Sequence, residues 1–183
     1  MSISSPLPMR GQVIWLLGPT SAGKTTIGKL YVEMLRAKGL VALHYDGDEI
    51  RGFFGSNLGF RPEDRLRAVS VCAHLAGKAA EAGVAVVVSA LTANEDARAY
   101  IREHIKNLIL VYLECPLSVC VERDSRGLYQ KAQTGEIDPD TIIGWKIPYN
   151  PPQGADLVVD TSKYSAQESV ELIYSRARGS IAR

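Results

Sequence analysis

The chain has 183 residues, 46% of them apolar, with 21 basic side chains against 20 acidic ones and a net charge of +1. That length accommodates one domain with a substantial core rather than two, and so even a charge balance leaves no global field to draw nucleic acid or an acidic membrane surface. No apolar run approaches the roughly 18 residues of a membrane span, and residues 1–10 lack the hydrophobic core of a secretion signal, so the expected location is cytoplasmic.

Residues 1–12 carry Ser, Pro and Gly without periodicity and read as a flexible N-terminal arm, leaving 13–183 as a single domain. Val13–Leu17 is an unbroken apolar run, the pattern of a parallel strand covered on both faces. Directly after it, Gly-Pro-Thr-Ser-Ala-Gly-Lys-Thr at 18–25 fits the phosphate-loop spacing, and a helical stretch over 26–36 follows, closing at Lys38 and Gly39. Gly18 and Gly23 let the backbone wrap phosphates with its N–H groups inward. Lys24 brings charge to the outer phosphates, Thr25 offers its hydroxyl to Mg²⁺, and the helix N-terminus adds partial positive charge. Ser21, Ala22 and Thr26 belong to the same binding set.

Residues 40–45 read as a second strand that delivers Asp46 and Asp48 at its carboxyl end. A short helical turn is expected over 49–54, a loop over 55–59, and a longer helix from Pro62 to about 82, closed by Gly83. Residues 84–89, with four valines in six positions, are the most strand-like stretch. A helix over 94–104 with Asn94 as cap, a strand over 108–113 and a helix from Pro116 to about 123 come next. The character then changes: 124–153 is rich in Gly, Pro and charge, with room for a short helix at 128–134, and so long an irregular stretch in a compact domain reads as a lid. A last strand at 157–159 and a helix at 166–178 complete the chain. Alternating strands and helices with unbroken apolar runs indicate an α/β fold, a parallel sheet with helices on both faces. Ligands in such sheets bind beyond the carboxyl ends of the strands, where 18–25, 46–51, 89–94 and Cys115 all fall.

A carboxylate past the second strand can take a proton from an acceptor hydroxyl or hold Mg²⁺ through water, while Arg51 grips an anionic group. Asp46 and Asp48 are the candidates, against the plainer account of a solvated acidic turn. Phe60, Arg61 and Arg65 offer a second anion-binding set, or simply a solvated helix start with Glu63 and Asp64 favouring the dipole. Arg123, Arg126 and Lys131 suit closure over triphosphate charge, and a plain charged loop remains the alternative. His44, His74 and His104 are dispersed and read as structural or exposed. Cys72, Cys115 and Cys120 form no Cys-x-x-Cys pair, and Cys72 and Cys120 read as buried small hydrophobes.

Taken in order, these motifs resemble the adenylylsulfate kinase (APS kinase) family of P-loop kinases. The likeness runs over about 13–161. It is carried by the phosphate loop, Asp46-Gly-Asp48 with Arg51, Leu58-Gly-Phe60, Asp64-Arg65, Pro116-Leu117, Arg123-Asp124, Gly127-Leu128-Tyr129, Lys131-Ala132, Gly135-Glu136-Ile137, Pro148-Tyr149 and Asp160-Thr161. The resemblance implies a P-loop NTPase fold with a lid, ATP as donor with Mg²⁺, and transfer of the γ-phosphate to the 3′-hydroxyl of adenosine 5′-phosphosulfate. It implies Asp46 as general base, Asp48 with Thr25 in the metal shell, Lys24 as a catalytic cation, and Arg123 and Arg126 at the ATP. Arg51, Phe60, Arg65, Lys131 and Ile142 fall at the acceptor. The partner implied is a small nucleotide-type molecule rather than nucleic acid or membrane, and a homodimer stays open.

The acceptor side departs from the family pattern. Where the family continues with an Asn and a pair of arginines, this chain has Ala68, Ser70 and Val71; an Ile-Ser-Pro-Tyr segment is replaced by Leu91, Thr92, Ala93 and Asn94; Gln130 and Gln133 flank Lys131 and Ala132; and Ile142 stands where a Phe stacks on adenine. Trp145 is a neighbouring candidate for that aromatic surface. Two alternatives therefore stay open: the same chemistry on a different nucleotide-linked or phosphorylated metabolite, and a nucleotide-binding regulatory module without transfer activity.

Overall fold

The computed structural model describes residues 9–124 and 126–179. Five parallel strands lie in the order β2-β3-β1-β4-β5: β1 Val13–Leu17, β2 Ala42–Asp46, β3 Ala85–Ser89, β4 Leu108–Glu114 and β5 Leu157–Asp160. The helices are α1 Lys24–Ala37, α2 Gly47–Gly52, α3 Pro62–Glu81, α4 Glu95–His104, α5 Leu117–Arg123, α6 Leu128–Thr134 and α7 Ala166–Gly179.

The unbroken apolar runs are explained by the period of the strand. Successive side chains of β1 point to opposite faces, so Ile14 and Leu16 enter a core with Ile27, Tyr31 and Leu35 of α1 and Ile173 of α7. Val13, Trp15 and Leu17 enter a second core with Val69, Cys72 and Ala76 of α3 and Ile101 of α4. Val87 and Val111 join the first core, Val86, Val88 and Leu110 the second. Each Val, Leu or Ile side chain so buried contributes about 1.5–3 kcal/mol. A sheet sealed on both faces leaves its carboxyl edge as the place where backbone and polar groups can meet a ligand.

Two expectations shift. The arm expected over 1–12 lies mostly outside the described residues, and its last part is not loose: Met9 is buried in the first core, and the Gln12 carbonyl accepts the Val86 N–H at 2.9 Å, extending the ladder below β1. β2 starts and ends later than expected, because Asp46 is both its last residue and the cap of α2, its carboxylate accepting the Asp48 N–H at 2.9 Å. Asn94 does occupy the N-cap position of α4, but its side chain makes no cap bond. The 124–153 segment carries α6 where a short helix was expected, and Tyr129 fixes it by donating from its hydroxyl to the Thr20 carbonyl at 3.0 Å. Among the described residues no helix is long and apolar enough to cross a membrane.

Candidate active site

A cleft of about 1290 Å³ opens at the carboxyl edge of the sheet between the phosphate loop, α2, the first half of α3, the 90–94 segment and the lid. The loop turns tightly because two glycines allow it. A Cβ on Gly18 would lie 2.5 Å from the Leu113 carbonyl oxygen, and Gly23 caps α1 at φ 93. Lys24 folds back onto its own loop, its Nζ donating to the carbonyls of Gly18 at 2.9 Å and Pro19 at 2.6 Å. Burial lowers the Lys24 ammonium to about 8, against a smaller opposing pull from Asp48.

The end of β2 meets the start of α1. The Thr25 hydroxyl donates to one oxygen of Asp46 at 2.6 Å, while the other oxygen holds the N-terminus of α2. Asp48, expected in the metal shell, carries an ion pair with Arg126 across the mouth of the cleft, both side chains more than half exposed. This junction is braced from behind. Ser89 donates its hydroxyl proton to the Lys24 carbonyl at 2.9 Å, so His44 Nε2 is the donor in its 2.9 Å bond to the Ser89 oxygen. A Cβ on Gly28 would come within 2.6 Å of that hydroxyl and 2.7 Å of the imidazole, which is why α1 presents a glycine there. Burial lowers the His44 pKa, opposed by the nearby Asp46 charge.

On the acceptor side, the guanidiniums of Arg51 and Arg65 lie 4.8 and 5.5 Å from the centre of the Phe60 ring. Arg51 donates to the Gly59 carbonyl at 2.6 Å, and Arg65 to those of Phe60 at 2.9 Å and Thr141 at 3.1 Å, which joins the wall to the lid. Arg123 is drawn to the end of β5, donating to the Thr161 carbonyl at 2.6 Å, and lines both this cleft and a smaller recess of about 200 Å³ shared with Thr26, Tyr164 and Ser165.

Of the residues singled out in the sequence, Ser21, Gly23, Lys24, Thr25, Thr26, Asp46, Asp48, Arg51, Phe60, Arg65, Arg123, Arg126 and Ile142 line this cleft. Gly18 and Ala22 do not; Ala22 is fully buried beneath the loop, so both shape the site rather than face it. Lys131 is a correction. It is exposed and off the cleft wall, because α6 turns Tyr129 and Ala132 inward. Trp145 does not supply the missing aromatic face either; it packs 5.3 Å from the Tyr129 ring against the first core. Ile142 does line the cleft, yet it is 4% exposed and presents an aliphatic surface only.

Sequence reasoning missed two supports. Arg98 is 2% exposed, and its guanidinium donates to the carbonyls of Thr92 at 3.0 Å and Asn150 at 2.6 Å and to Glu95 at 3.0 Å. It also sits 5.5 Å from the Tyr149 ring, whose hydroxyl donates to the Leu91 carbonyl at 3.0 Å. Arg98 thereby ties the acceptor wall to the end of the lid and holds Thr92 at its positive φ of 42, helped by the 2.9 Å bond from Trp15 to the Thr92 hydroxyl. The available signal was its position: Arg98 stands beside Ala97 and one turn before Ile101 on the buried face of α4. The second is His44, two residues before Asp46 and therefore on the same face of β2.

Comparison with known proteins agrees with this geometry. Residues 10–160 match the profile of the adenylylsulphate kinase family. An adenylyl-sulfate kinase of Rippkaea orientalis is 37% identical over 93% of each chain, and a probable adenylyl-sulfate kinase of Pyrococcus abyssi is 36% identical over 93% of this chain and 97% of its own. Among solved structures, the Mycobacterium tuberculosis APS kinase in complex with AMPPNP and APS superposes with a TM-score of 0.84 at 30% identity, covering 91% of this chain and 97% of the other. Shikimate kinase from Aquifex aeolicus, at 20% identity and a TM-score of 0.54, shares the fold. With the phosphate loop, the capping aspartate and the arginine-flanked Phe60 in one cleft, and with this match across most of its length, the chain belongs to the adenylylsulphate kinase family.

Proposed function

We propose that the protein transfers the γ-phosphoryl group of ATP to the 3′-hydroxyl of adenosine 5′-phosphosulfate. The observation that supports this is the 2.6 Å contact between Thr25 and Asp46, a carboxylate beside the last residue of the phosphate loop. The cleft's 1290 Å³ exceeds the roughly 300–1000 Å³ typical of a single-ligand pocket, enough for donor and acceptor together. The M. tuberculosis relative was solved with two such ligands.

In this arrangement the phosphate loop and Lys24 hold the β- and γ-phosphates, and the smaller recess beside Arg123 takes the base of ATP. Asp46 accepts the 3′-hydroxyl proton as the oxygen attacks the γ-phosphorus. Arg51 and Arg65 grip the acceptor's anionic side and Phe60 supports its base, with Ile142 opposite. Residues 124–153 act as the lid. Thr25 would offer its hydroxyl oxygen to Mg²⁺, whose shell phosphate oxygens and waters complete, and Asp46, 2.6 Å from that hydroxyl, would hold the ion through one of those waters, with Asp48 two residues further along on α2. Bound there, Mg²⁺ would supply positive charge against the charge that develops on the phosphate oxygens. The test is a coupled assay of ADP release, which we expect to depend on adenylylsulfate; ADP release indifferent to it contradicts the proposal.

The lowered Lys24 pKa predicts a linked proton. With a value of about 8 in the free protein, Lys24 is mostly neutral at about pH 9, and phosphate charge beside it favours the ammonium. ATP binding at that pH should therefore take up a proton, and affinity should fall as pH rises through 8. Calorimetry in two buffers of different ionisation enthalpy measures the uptake; equal heats in both buffers contradict it.

A further inference from the structure

We propose that the acceptor half of the cleft admits a second class of substrate, nucleoside 5′-phosphodiesters whose outer group is uncharged, an inference that rests on the 3′-hydroxyl kinase reading above. Arg65, Ala68, Val69 and Cys72 follow one another on α3 at spacings of three, four and seven residues, so they form one stripe, and all four line the cleft. The stripe begins with a cation at the mouth and continues apolar inward. Leu91, Ala93 and Ala97 line the same cleft and add apolar surface to it.

The polar groups nearby are turned elsewhere. The Thr92 hydroxyl accepts from Trp15 and points its own proton to the Ala90 carbonyl, and Ser70, off the cleft wall, donates to the Leu66 carbonyl at 2.9 Å. Asn94 is the polar side chain left on that wall, and it is neutral. The Cys72 thiol is pushed up to about 12 by burial and brings no charge either. Arg51 and Arg65 are the guanidiniums of this half, both engaged with backbone carbonyls and the Phe60 ring, and Asp46, Glu49 and Asp138 share the cleft with them. That charge suits one phosphate. A second, strongly hydrated anion carried past Arg65 would lie against the uncharged side chains of Ala68, Val69 and Cys72 and lose its water, the cleft's amines, Lys24 and Lys29, standing on α1, whereas an uncharged group loses little and covers apolar surface.

The chemistry is unchanged. The 3′-oxygen forms a bond to the γ-phosphorus, the bond to the β,γ-bridging oxygen breaks, ADP leaves with the electron pair, and the hydroxyl proton passes to Asp46 and then to solvent. The outer substituent takes no part.

The test compares adenylylsulfate with adenosine 5′-(isopropyl phosphate), which keeps one phosphate charge and carries a branched alkyl group in place of sulfate. Each is incubated with the intact protein, ATP and MgCl₂, and ADP release and product mass are followed. We expect kcat/KM for the isopropyl ester to reach at least about one tenth of that for adenylylsulfate. Turnover of adenylylsulfate with the ester below that level overturns the inference and leaves the proposed function standing. Turnover of the ester alone supports the recess and refutes adenylylsulfate as substrate, and turnover of neither overturns both.

Discussion

Asp46→Asn should lower kcat by about 10²–10⁴-fold, the range general-base catalysis commonly supplies, while ATP still binds. The substitution separates chemistry from architecture. Asparagine is as good an N-cap as aspartate, so its amide oxygen can keep the 2.9 Å bond that starts α2, and its amide nitrogen can still meet Thr25. What it lacks is a basic oxygen for the 3′-hydroxyl proton. The checks are steady-state turnover beside ATP affinity measured without acceptor. An unchanged kcat removes Asp46 from the base role, and a collapse of ATP affinity alongside kcat makes its contribution one of phosphate or metal binding instead.

Arg98→Ala should destabilise the fold by about 3 kcal/mol, because two buried carbonyls lose a charged donor, and this corresponds to a fall in Tm of about 10 °C for a chain of this size. The carbonyls are those of Thr92 and Asn150, one on the acceptor wall and one at the end of the lid, and the Tyr149 ring loses the cation beside it. The ion pair with Glu95 adds little, since that carboxylate is 60% exposed. Loss of the tie should also raise KM for the acceptor more than KM for ATP, because the Thr92 carbonyl it holds belongs to the wall that the proposed function gives to the acceptor. Arg98→Lys should recover part of each effect, a single ammonium being unable to span both carbonyls as the planar fork does. Thermal melts and the two KM values are the measurements; a variant as stable as the parent contradicts this account of Arg98.

Local features of the fold were legible in the sequence and long-range ones were not. The phosphate loop, the valine-rich third strand, and the helix ends at Gly39 and Gly83 follow from residues close together in the chain. The strand order β2-β3-β1-β4-β5 does not, since it depends on which apolar runs pair across the sheet. The same distinction runs through the site. Asp46 and Thr25 were each legible from a short motif, but their direct contact, with Asp48 drawn off to Arg126, depends on how β2 lies beside α1. Lys131 was read into the cleft from a motif and lies outside it, because the inward face of α6 is set by packing of Tyr129 and Ala132. His44 looked isolated until β2 and β3 paired His44 with Val87 and brought Ser89 within 2.9 Å of its ring. The substitutions at Ala68 and Ile142 were legible as departures; that Ala68, Val69 and Cys72 form one apolar wall required the cleft itself.

The most direct test of the central claim is the identity of the product. The protein incubated with ATP, MgCl₂ and adenylylsulfate should yield one ADP for each nucleotide that gains a single phosphoryl group. Phosphorus NMR should show the new phosphomonoester coupled to the ribose 3′ proton, with the phosphosulfate intact. ATP consumed with no phosphorylated adenylylsulfate, or a phosphoryl group found at any other oxygen, contradicts the placement of Asp46 at the acceptor's 3′-hydroxyl.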